Sequence, residues 1–284
     1  MLDIIILAIL QGLFEWFPIS SSGQVFNVSL NLFGLNPQES YSLAIWLHLG
    51  TALVVLIKFR KEYIKMITSF FPNTFEFVSL DKKKRNWVII ATIGTAITAI
   101  PLYFLFEVLI TGYLAIHGDL ITLIIGGLLI ITGVILLKQG KSSGEKSIEK
   151  IGNEVLNKDS FISGLMQGIS ILPGISRSGI TISTLLYKNY EKDNALKLSF
   201  LMSVPVVFGS IGLKTITGII SEELTILDPL TILIATIISF CVGYLSIEFL
   251  LRIAKKIQFG YFCIIYGIIS FAVIVPFILI GILA

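Results

Sequence analysis

Charge is what this chain lacks most. Only 14% of its 284 residues are charged, 55% are hydrophobic, and the mean hydropathy is +0.92, values that exclude a soluble globular domain. The chain is expected to cross lipid several times, and its spans to be helices, because hydrocarbon tolerates no unpaired backbone. Cysteine is equally scarce. Cys241 and Cys263 both lie in apolar runs and read as small buried hydrophobes, which excludes a disulfide framework or a cysteine metal site. The first ten residues contain no basic residue and carry Asp3, so no cleavable leader is expected. The net charge of +3 is too small to suggest nucleic acid as a partner. With so little polarity to spend, the places where polar residues enter the oily runs become informative.

One such place is Gln11–Gln24. It sets Glu15, Pro18 and the hydroxyls of Ser20, Ser21 and Ser22 inside an apolar segment running from Leu2 to Leu35. Each buried polar group costs roughly 2–4 kcal/mol unless something satisfies it. The outline recurs at Gln167–Gly179: Gln-Gly opens both copies, Ser-x-Ser-Gly closes both, and both span the same number of residues from the first Gln to the closing Gly. Each copy is too short on either side of its break for a full crossing, so two re-entrant helix pairs are expected.

Full spans are expected over 40–59, 87–106, 120–137, 195–213, 230–251 and 260–283. The fold class is therefore an all-α integral membrane protein with about six transmembrane helices plus two re-entrant pairs. It forms one membrane domain over 1–284, with halves 1–137 and 160–284 joined by a hydrophilic linker, 138–159. Placing the N-terminus outside puts 19 of the 21 Lys and Arg residues on cytoplasmic segments, a strong positive-inside bias. Lys214, read as part of an outer loop, and Arg177, within a membrane element, are the exceptions. The two broken elements then enter from opposite faces, as an inverted-topology repeat requires.

The chemistry follows from residue type. Gly and Ser residues precede a short helix after Gly23 and again after Gly179, and helix N-termini favour anions, phosphate above all. The bland alternative is that small residues only let backbones pack closely in lipid. Arg177 between Ser176 and Ser178 tips the balance toward an anion site, because a guanidinium fork suits phosphate. A structural pair with Glu15 is the competing reading for Arg177. Glu15 could hold a divalent metal or act as a base, with Gln11 one helical turn away on the same face. Ser20, Ser21 and Ser22 are candidate nucleophiles, although serines at a helix start are more often caps. His48, early in the first full span, reads as a structural hydrogen-bonding group with a role at the site left open. His117 reads as a solvated loop residue.

At these residues the sequence resembles the undecaprenyl-diphosphate phosphatase family, also called the bacitracin-resistance protein family. Gln11, Glu15 and Pro18-Ile19-Ser20-Ser21 match its first motif. Pro173, Gly174, Ser176, Arg177, Ser178 and Thr181 match its second, and His48-Leu49-Gly50-Thr51 also looks like the family. The resemblance implies a polyprenyl diphosphate substrate, hydrolysed to the monophosphate with a divalent cation (Mg2+ or Ca2+), in the plasma membrane and with the site opening outside. It implies Glu15, Ser21, Arg177 and Gln11 as catalytic residues, with Glu15 also the metal ligand. Ser20, Ser22, Gly23, Gln24, Gly174, Ser176, Ser178, Thr181 and His48 are the expected substrate-binding set. Membrane lipids are expected neighbours, and a homodimer is left open. One departure stands out: the family usually has histidine where this chain has Gln24, and glutamine cannot move a proton at neutral pH. The alternative function is a lipid-phosphate flippase or small-anion carrier, since broken helices at the midplane are also carrier architecture.

Overall fold

In a computed structural model the backbone is described for residues 1–17, 19–70, 79–112, 118–138, 144–220, 228–253 and 259–283. Pro18 and His117 lie outside these residues. Eleven α-helices run in order: α1 Leu2–Phe14, α2 Ser21–Asn31, α3 Pro37–Lys58, α4 Arg60–Thr68, α5 Ser79–Thr111, α6 Gly118–Lys138, α7 Asn153–Gly168, α8 Arg177–Tyr187, α9 Lys192–Ile220, α10 Pro229–Ile253 and α11 Phe259–Leu283. Helices α3, α5, α6, α9 and α10 are long and apolar enough to cross a membrane. The 25 residues of α11 occupy the position expected for a sixth crossing. The protein is an all-α integral membrane protein.

Local signals set the helix ends. Asn36 and Glu39 form a reciprocal capping box, with Pro37 at the first position of α3 and Lys58 in its last turn, so both ends of the macrodipole are matched. Pro205 lies inside α9 and leaves the Leu201 carbonyl without its helical donor. The Tyr63 hydroxyl fills that gap at 2.8 Å, tying α4 to α9. Burial pushes the Tyr63 phenol above its ordinary value, which keeps it an O–H donor there.

Packing mirrors the two-copy pattern of the sequence. Helix α1 lies on α10 as α7 lies on α5, while α3 meets α9 and α6 meets α11. Gly12 and Gly168, matching positions in the two Gln-Gly steps, both sit at close helix crossings. A Cβ on Gly12 would come within 2.9 Å of the Ser239 carbonyl, and one on Gly168 within 2.7 Å of the Thr95 carbonyl. Only glycine lets either backbone approach so closely.

Three expectations need correction. The linker is shorter than 138–159, because α7 already begins at Asn153. Buried Asp159, held by the Tyr190 hydroxyl at 3.2 Å and by Lys146 and Lys188 at 3.5 and 3.6 Å, lets that polar stretch fold as a helix. Lys214 belongs to α9 rather than to a loop, and its ammonium is buried against Glu107 at 2.7 Å, which neutralises the exception to the charge bias. Cys263 is buried as expected, but Cys241 is exposed on a helix whose outward face meets lipid.

Candidate active site

The two turns meet. Ser20 caps α2 and Ser176 caps α8, each accepting the backbone N–H of the glycine three residues on: Gly23 at 3.3 Å and Gly179 at 3.1 Å. Ser20 Oγ also accepts Gly174 N–H at 3.1 Å, so one hydroxyl bridges the turns. Its position has a cost, since Ser20 adopts the left-handed conformation (φ 58°), which a residue with a side chain disfavours by about 1 kcal/mol. Gly23 backs directly onto Gly174: a Cβ there would lie 2.8 Å from the Gly174 nitrogen. Trp16 anchors the first turn from behind, donating to the Gly243 carbonyl at 2.8 Å and standing edge-on to Phe200.

Glu15 is the hub. Its Oε2 accepts Gln11 Nε2 and Ser21 Oγ, each at 2.7 Å, and His48 Nε2 lies 3.2 Å from the same oxygen. Its Oε1 accepts Arg177 Nη2. The carboxylate is buried, and a buried charge persists only when paired and hydrogen-bonded in this way. Arg177 is not used up by that pair, for its Nε and Nη1 are buried with no partner. Unsatisfied guanidinium N–H groups are expensive at this depth, and here they stand beside a pocket lined by Glu15, Ser20, Ser21, Ser22, Ser176 and Ser178. Ala99 from α5 and Val206 and Val207 from α9 add apolar lining.

The structure separates the expected site residues into two groups. Glu15, Ser20, Ser21, Ser22, His48, Ser176, Arg177 and Ser178 line the pocket. Gln11 stands just behind, holding Glu15. Gly23 and Gly174 lie outside the lining, at the point where the turns touch. Gln24 is buried outside the lining, its amide donating to the Ile19 carbonyl at 3.3 Å. Thr181 hydrogen-bonds the Arg177 carbonyl at 2.8 Å and the Ser199 hydroxyl, so it fixes α8 against α9 instead of facing the pocket. Tyr41, Thr95, Gln167 and Ser210 also line it and were not expected there. Gln167 opens the second repeated outline, whereas Tyr41, Thr95 and Ser210 carry a signal that only packing makes specific.

A metal on Glu15 does not fit this arrangement. Both carboxylate oxygens are already engaged, one by a guanidinium, and among the described residues no other carboxylate lines the pocket. Among the described residues no three His, Cys, Asp or Glu side chains cluster to hold an ion.

Fold and site together define a membrane-embedded protein with a buried Arg–Glu–Ser constellation at the junction of two capped helix starts. The family model of the bacitracin resistance protein BacA matches residues 4–272, and the chain belongs to that family. It is 39% identical over 272 residues to an undecaprenyl-diphosphatase of Methanothrix thermoacetophila, covering 95% of this chain and 96% of the relative. It is 32% identical over 264 residues to that of Haloarcula marismortui (93% of each chain). With that of Halothermothrix orenii it shares 35% identity over 268 residues (93% and 95%).

Proposed function

We propose that this membrane protein hydrolyses undecaprenyl diphosphate to undecaprenyl phosphate and phosphate. The observation that carries the reading is the pair of unpartnered Arg177 nitrogens beside a serine hydroxyl already bonded to a carboxylate. The pocket lining carries both kinds of group that such a substrate requires. Its serines and arginine suit the diphosphate, and Ala99, Val206 and Val207 suit the first prenyl units.

In this reading Arg177 Nε and Nη1 and the first-turn N–H groups of α2 and α8 hold the terminal phosphate. Ser21 Oγ attacks the terminal phosphorus, its proton passing to Glu15 Oε2. The anhydride P–O bond breaks, the lipid monophosphate leaves, and water then cleaves the phosphoserine. Gln11 keeps Glu15 aimed at Ser21. The leaving group is itself a phosphate, so positioning and charge stabilisation supply most of the acceleration. A divalent cation would supply charge neutralisation to the diphosphate, and none of the described lining residues is assigned to hold it.

The halves 1–137 and 160–284 read as an inverted repeat whose broken elements are re-entrant, and the α1–α10 and α7–α5 packing supports this. The charge bias supports a plasma-membrane orientation with the basic segments inside and the pocket opening outside.

Phosphate release from undecaprenyl diphosphate by the purified chain, beside an Arg177→Ala control, tests the function. Release by the wild type that the control lacks supports the reading. Equal release, or none from either with any divalent ion, overturns it.

A further inference from the structure

His48 is the titratable pocket residue that the scheme above leaves without a role. Its two ring nitrogens face two acceptors. Nδ1 lies 2.6 Å from the Ala44 carbonyl oxygen, an atom that only accepts, so Nδ1 carries a proton. Nε2 lies 3.2 Å from Glu15 Oε2. A proton on Nε2 would meet an acceptor there, whereas a bare Nε2 would not. The same Oε2 receives the Ser21 hydroxyl at 2.7 Å, placing the imidazole one atom away from the attacking group.

Among the described residues the pocket around His48 holds few other ionisable groups. The ionisable side chains lining the pocket are Glu15 from the α1 end, Arg177 from α8, Tyr41 on His48's own helix and His48 itself. Helix α9 contributes Val206, Val207 and Ser210, and α5 contributes Thr95 and Ala99. On the far side, α10 offers Ser239, which donates to the Leu47 carbonyl. Gln24 neither titrates nor lines the pocket.

We propose that His48 is the proton carrier of this site, an inference that rests on the phosphatase reading. As Ser21 attacks, its proton moves to Glu15 Oε2, and the His48 Nε2 proton passes to an oxygen of the departing lipid phosphate while the anhydride bond breaks. His48, now bare at Nε2, takes a proton from the water that attacks the phosphoserine. The P–O bond to Ser21 breaks, and Glu15 returns its proton to Ser21 Oγ. One water is consumed, and all three side chains regain their starting states.

The test compares wild type and His48→Gln for phosphate release from undecaprenyl diphosphate, from about pH 5 to pH 9. The glutamine amide keeps a donor for Glu15 but cannot exchange a proton. The expected result is a kcat lowered by about 10²–10⁴-fold, with KM near wild type and one limb of the pH profile gone. A His48→Gln protein with wild-type kcat and an unchanged profile overturns the inference. An inactive wild type instead overturns the phosphatase reading, so the two failures are distinguishable. The chain contains two histidines, which allows a second test that does not rely on the variant folding. In a His117→Ala background, diethyl pyrocarbonate is expected to abolish release, substrate to protect, and hydroxylamine to restore it. Full activity after carbethoxylation of His48 would contradict the role.

Discussion

In both turns a serine at the helix cap accepts the N–H of a glycine three residues on, and in both that serine faces a second one two residues later. Ser20 and Ser22 lie 3.4 Å apart, Ser176 and Ser178 3.3 Å. The residue between them differs. In the first turn it is Ser21 and in the second Arg177, and both reach Glu15 from opposite sides, one at each carboxylate oxygen. Equivalent scaffold positions thus supply a hydroxyl and a guanidinium to a single carboxylate. The backbone of such a turn is generic anion-binding geometry. The chemistry lies in the middle residue and in Glu15, whose counterpart in the second copy is Ile171.

Breaking the second turn or the hub is expected to have the largest effects. Arg177→Lys keeps the charge but loses the fork, and phosphate release should fall by about 10²–10³-fold, since an ammonium cannot hold phosphate and Glu15 at once. At the hub, Glu15→Gln removes the acceptor of the Ser21 proton and should lower kcat by about 10²–10⁴-fold. It should also destabilise the fold by about 3–5 kcal/mol by stranding the buried Arg177 charge, measurable as a lower unfolding midpoint in detergent.

Why these residues were legible and others were not follows from the physics. Hydropathy revealed the long spans, because lipid demands roughly 20 apolar residues. The paired Ser-x-Ser-Gly outlines and a lone arginine revealed the junction. Asn153–Asp159 read as linker, because a helix satisfied by Asp159, Tyr190 and two lysines has no hydropathy signal. Lys214 read as loop, because its partner Glu107 is distant in sequence. His48 is distant from the turns in sequence, and the packing of α3 across the α1–α2 break brings its ring to Glu15. Gln24, adjacent to the turn in sequence, points its amide back at Ile19, so nearness along the chain misled there.

The smaller predictions sharpen the contrast between the caps. Ser20→Ala loses a cap and the bridge to Gly174, so it should cost about 2 kcal/mol, whereas Ser176→Ala loses a cap alone and should cost about 1 kcal/mol. Chemical unfolding of the two variants side by side reads the difference, and equal costs would mean that the bridge contributes nothing. Smallest of all, Gln24→His should alter phosphate release by less than about tenfold, because a proton carrier must stand within reach of the reacting atoms. A larger gain in kcat would show that the new imidazole enters the pocket.

The central claim is that the two turns make one site, and a double-mutant cycle on the matched residues tests it most directly. Phosphate release is measured for wild type, Ser21→Ala, Arg177→Lys and the double variant. Residues acting as one unit give a double variant about as slow as the slower single one, and that is the predicted result. Losses that multiply would show two independent contributions and contradict the shared site.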